Sequence, residues 1–172
     1  MYRVFVLILV LVTVGAASAA VVTLPNTTQT TTFTATVSEQ ANISVPAGVT
    51  FNVTNVSAST ASSAQSVSAT AIVLTNAKAL RVELEALDPV FTPATGGSVT
   101  WAASDVSWNA ATWTNGTGAS GTLGDMYRKL NDTSANAAST ATTNLVFTLA
   151  AKATVDRAGN HTLWACWKFS SF

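Results

Sequence analysis

The chain has 172 residues, 48% of them hydrophobic and only 9% charged, and its eight basic and eight acidic side chains cancel. That length is a prior for one domain, and the charge content lies far below the ~25% of an average soluble domain. A neutral chain with no Lys/Arg cluster excludes an electrostatic footprint for nucleic acid or an anionic membrane surface, and a single cysteine, Cys166, excludes an internal disulfide framework.

Residues 1–20, MYRVFVLILVLVTVGAASAA, carry the three parts of a secretory signal peptide. Arg3 supplies the positive n-region, Val4 to Val14 the apolar h-region, and Ala17-Ser18-Ala19 the small-x-small cleavage pattern. Cleavage after Ala19 or Ala20 leaves a mature chain beginning near Val21, which meets a membrane only during secretion. The alternative is a retained apolar helix, as in a type IV pilin-like subunit, because Val4 to Val22 is nearly long enough to span a bilayer. The mature chain of about 150 residues is long enough to bury about 70% of its unfolded surface without cross-links.

Residues 21–32 form a Thr-rich extended segment in which Pro25 bars a continuous central strand. Period-2 alternation starts at TFTATV, where Phe33, Ala35 and Val37 share a face, and continues through NISV. In VTFNVTN, Val49, Phe51 and Val53 point one way while Thr50, Asn52 and Thr54 point the other. Strands are also predicted in VSATAIVLTN (67–76) and ALRVELEA (79–86), with a turn at Asn76-Ala77-Lys78 between them. Leu80, Val82, Leu84 and Ala86 then face inward, and Arg81, Glu83 and Glu85 outward. Pro89, Pro93 and Gly96-Gly97 punctuate a loop before SVTWAA, residues 105–122 read as irregular, and LGDMYRKLND suggests a helical turn. NLVFTLAAKATV (144–155) reads as one long strand with Phe147 and Leu149 on its apolar face, and HTLWACWKFSSF as the last. The expectation is an all-β chain: one antiparallel β-sandwich over 33–172, Ig-like or jelly-roll-like, after the apolar leader.

The residues offer little for an enzyme, and no cofactor is implied. With one histidine, His161, and one cysteine, no common zinc or copper set assembles, and the scattered acids form no calcium loop. Glu83 and Glu85 stand about 6–7 Å apart on one strand face, a spacing that glycoside hydrolysis can use, but a solvated face beside Arg81 is the simpler reading. Five tryptophans (Trp101, Trp108, Trp113, Trp164 and Trp167) suit either a core or a sugar-stacking platform of a carbohydrate-binding module. Trp164 and Trp167 alternate on one strand, so only one of them can enter the core.

Seven Asn-x-Ser/Thr acceptors are the most numerous site-level signal: Asn26, Asn42, Asn52, Asn55, Asn115, Asn131 and Asn160. On a charge-poor secreted chain, N-linked glycans would supply the solubility that the side chains do not.

The secretory leader, the Thr-rich extended N-terminus, the strand pair TAIVLTNAKALRVELEA and the closing GNHTLW strand together resemble the archaeal surface filaments called threads and bundling pili. More distantly they resemble the bacterial biofilm-fibre proteins TasA and camelysin. The resemblance implies a head-to-tail homopolymer held by donor-strand complementation, a form of β-augmentation. On this chain it implies a donor over Val21, Val22, Thr23 and Leu24, extending to about Thr32. The implied acceptor groove lies among Leu80, Val82, Leu84, Phe147 and Leu149, and the location at the cell surface. Pro25 would interrupt the donor ladder after only a few residues.

Overall fold

The computed structural model describes residues 30–135 and 139–172, and the chain divides into two compact units, Met1–Thr36 and Val37–Phe172. The leader, the donor residues Val21, Val22, Thr23 and Leu24, and Asn26 lie outside the described residues. Residues 30–36 are exposed and belong to no strand.

The second unit is an all-β sandwich whose strand pairings are all antiparallel. The first sheet orders β1 (Gln40–Ser44), β3 (Gln65–Val73) and β9 (Thr140–Leu145) as β1-β3-β9. The second contains β2 (Thr60–Ala61), β5 (Val106–Trp108), β7 (Gly121–Thr122) and β10 (Phe147–Leu149), in the order β2-β10-β5-β7. Only Val146 separates β9 from β10, so these two sheets run into each other. The third orders β4 (Leu80–Ala86), β6 (Thr117–Gly118), β8 (Arg128–Asp132) and β11 (Ala165–Ser171) as β11-β4-β8-β6.

The alternation in ALRVELEA produces β4 as expected. Leu80, Val82, Leu84 and Ala86 are buried, while Arg81, Glu83 and Glu85 lie on the opposite face. Each buried Leu or Val there contributes roughly 1.5–3 kcal/mol. Residues directly paired in an antiparallel ladder share a face, so the register Trp167↔Leu84 and Phe169↔Val82 turns Trp167 and Phe169 inward. These side chains join Val67, Ala69, Ala141, Leu145, Phe147, Leu149, Val106 and Trp108 in one core. On the outer face, Asp132 accepts two hydrogen bonds from Arg81, at 2.8 and 3.0 Å, and Lys168 lies 3.1 Å from Glu83. Exposed pairs of this kind stabilise by only about 0–1 kcal/mol.

In β3 the buried positions run Val67, Ala69, then Ile72, an offset of three where period 2 requires two. Ala71 at φ 49° takes up the extra residue, and the register against β1 shifts nearby. A β-bulge of this kind re-aims the following side chains.

The sequence expectations differ from the fold in several places. LGDMYRKLND holds no helical turn: Arg128–Asp132 is strand β8, recruited by pairing with β4 and β6. The long strand expected over 144–155 ends at Leu149, where Ala150 N–H turns to Asp105 O and Lys152 N–H to Val56 O. The sandwich expected from residue 33 begins at β1, because TFTATV finds no strand to pair with. VTFNVTN shows the expected alternation of burial but likewise joins no ladder.

Candidate functional site

The two inner faces of the sandwich separate over Leu84 and Trp167 on one side and Val106, Phe147 and Leu149 on the other. They leave an open groove of about 1130 Å³. Phe91, Trp101 and the 155–163 segment also line it. Of the five residues implied as an acceptor groove, Leu84, Phe147 and Leu149 line it. Leu80 and Val82 are not among its lining residues, and all five side chains are buried in the core.

Residues 46–56 run along this groove as a strap. Val49, Phe51, Val53 and Val56 are half-buried against the core, while Thr50, Asn52, Thr54 and Asn55 are exposed. Among the described residues the strap has no ladder partner. Its backbone bonds are a local Val53 N–H to Phe51 O contact, an Asn55 turn, and Lys152 N–H donating to Val56 O at 2.6 Å. A strand-patterned segment with its backbone unpaired is the weakest kind of cover, since ladder hydrogen bonds hold extended chain in place.

The 156–161 part of the groove lining is held by polar side chains. Asp156 accepts hydrogen bonds from Ser98 Oγ at 2.7 Å, Ser98 N–H at 3.1 Å and Val99 N–H at 3.1 Å. The Ser98 hydroxyl, with the Val99 and Ser98 amides, holds its carboxyl down to about 2. His161 Nε2 lies 2.9 Å from Arg157 O, and a carbonyl can only accept, so that nitrogen carries a hydrogen. Its Nδ1 lies 2.8 Å from Thr100 Oγ1, and its ring meets Trp101 edge-on at 5.3 Å. Sequence reasoning missed this clamp because Asp156 and Ser98 are 58 residues apart. A second tie fixes the start of β1. Glu39 accepts from Ser171 Oγ and from Thr75 N–H, and those bonds, led by Ser171, bring its carboxyl to about 2.

Trp101, Trp108 and Trp113 are buried, with the first two donating Nε1–H to Ala150 O and Ala119 O. Gly121 sits against Trp108, where a Cβ would come within 2.8 Å of the indole, so a side chain there would push the ring out of the core. Trp108 and Trp113 therefore present no platform at the surface. Trp167 is half-buried in the groove wall, and Trp164, one face over, is 72% exposed beside Leu87.

The acceptors also divide by burial. Asn42, Asn52, Asn55 and Asn160 are exposed, and Asn115 is half-buried with its Oδ1 taking the Ser134 N–H. Asn131 is 0% exposed, and its Nδ2 donates to Asn115 O at 3.1 Å. A sugar on that nitrogen is incompatible with the folded sheet, which removes Asn131 from the set of candidate acceptors.

Glu83 and Glu85 lie on the outer face, Glu83 against Lys168. The Tyr127 hydroxyl reaches Cys166 Sγ at 3.6 Å, and this bond together with Glu85 pushes the phenol's pKa up. Among the described residues no three His, Cys, Asp or Glu side chains gather in a metal-sized cluster, and no helix is long and apolar enough to cross a membrane. The chain matches no protein family, no curated protein and no solved structure.

Proposed function

We propose that this chain is a secreted, non-enzymatic structural subunit of an extracellular filament, assembled head to tail by strand donation and clothed in N-linked glycans. One observation carries the reading: the sandwich leaves an apolar groove open along its seam, bordered by a strap that has no ladder partner among the described residues. A groove of that shape suits an extended peptide, which would gain ladder hydrogen bonds from the backbone and pockets for alternate side chains. A head-to-tail contact that does not close generates a fibre. The exposed acceptors Asn42, Asn52, Asn55 and Asn160 would place sugars on the outside of a charge-poor protein, where they shield unpaired edges from indiscriminate pairing.

The test is electron microscopy of the surface-sheared fraction of cells making the chain, beside a version lacking residues 21–37. Filaments from the intact chain and folded monomers from the shortened one are the expected pair. Monomers from both would end the filament reading.

A further inference from the structure

Resting on that reading, we infer that the inserting side chains are Phe33 and Val37, with Ala35 between them, and that they enter the groove of a second copy. In their own chain these residues are left in water: Phe33 is 93% exposed and Val37 69%. A phenylalanine almost wholly solvated on a period-2 segment is unusual unless something else covers it, because one such side chain favours burial by an amount comparable to a substantial part of a domain's net stability.

Three further observations point to the same segment. TTTFTATV is built of β-branched and aromatic residues, the vocabulary of strands, yet it lies in no strand. No proline occurs between Pro25 and Pro46, so twenty consecutive residues can all donate N–H groups to a ladder, whereas VVTL is cut off by Pro25 after four residues. Phe33, Ala35 and Val37 also repeat the spacing of Val49, Phe51 and Val53 in the strap, so both present three apolar side chains on one face.

The groove fits such an insert. Its lining is apolar and rich in aromatics, with Leu84, Phe91, Trp101, Phe147, Leu149 and Trp167 along it. The strap offers a row of backbone groups without ladder partners among the described residues. Phe33 is 93% exposed in its own chain, and burial in the groove of a second copy would remove it from water. Inserted there, Phe33 and Val37 leave water, and the donor backbone pairs with residues 47–55, turning the strap from a loose cover into part of a ladder.

The experiment compares two double variants of the full chain, Phe33→Ser/Val37→Ser and Val22→Ser/Leu24→Ser. It measures polymer by sedimentation and microscopy, and the thermal midpoint of the unassembled subunit. The first variant is expected to raise the critical concentration for assembly about a hundredfold or more, from two apolar side chains no longer buried, with the subunit's midpoint unchanged. Phe33→Leu/Val37→Ile should restore assembly. Wild-type-like filaments from Phe33→Ser/Val37→Ser overturn the inference, and if Val22→Ser/Leu24→Ser then loses them, strand donation survives with the donor moved to residues 21–24. Filament loss with a lowered subunit midpoint also overturns it, because these side chains would then serve the subunit's own fold. Absence of filaments from the unmodified chain fails the function reading itself.

Discussion

Truncating Trp167 and Trp164 in turn tests the register on which the groove depends. The two lie three residues apart, Trp167 partly buried inside β11 and Trp164 exposed just before it, so each acts as a control for the other. A tryptophan side chain carries about 150–250 Å² of surface, and burial is worth ~25 cal/mol per Å². Half-buried Trp167 therefore contributes about 2–3 kcal/mol, and its stacking on Phe169, with centroids 6.5 Å apart and rings 20° from parallel, adds a further ~0.5–1.5 kcal/mol. Trp167→Ala should cost about 3 kcal/mol. Trp164, at 72% exposure, has little more than a quarter of its surface to lose, so Trp164→Ala should cost only about 1–2 kcal/mol. At roughly 2–4 °C per kcal/mol for a domain near this size, the first variant melts about 6–12 °C lower and the second within a few degrees of the parent. The assay is thermal and urea unfolding followed by far-UV circular dichroism, which does not depend on indole fluorescence. A larger loss for Trp164→Ala would refute the pairing Trp167↔Leu84, since a slip of one residue exchanges the faces of the strand. The groove would then have a different wall.

Two further predictions concern acid and glycans. Asp156 and Glu39 both titrate below their ordinary values of 3.8 and 4.5, at about 2 each. A lowered folded-state pKa gives stability that is present above the unfolded value and lost as pH falls through the folded one. The midpoint of unfolding should therefore drop between about pH 4.5 and 2, and Asp156→Asn should flatten that slope; an unchanged slope would show that the Ser98–Val99 clamp does not form. Mass spectrometry of peptides from the secreted chain should find glycans on exposed sites such as Asn52, Asn55 and Asn160 and none on Asn131; a glycan on Asn131 in folded protein would contradict the register between β4 and β8.

The part of this protein legible in its sequence is the part fixed by neighbours along the chain. Alternation in ALRVELEA marked β4 and its two faces, because the pleat sends successive side chains to opposite sides whatever the strand pairs with. The same rule marked Val49, Phe51 and Val53 as one face. Only the tertiary structure decided where such segments find partners. RKLND is a strand because β4 and β6 flank it, and TFTATV is none because nothing among the described residues pairs with it. The Asp156 clamp joins residues 58 apart, and the burial of Asn131 depends on a neighbouring loop, so neither leaves a local signal. The groove is the clearest instance. Leu80, Val82 and Leu84 are equivalent in the sequence pattern and all are buried, yet only Leu84 borders the groove, because how two sheets pack is set by their mutual twist and by the loops at their ends, not by any single strand.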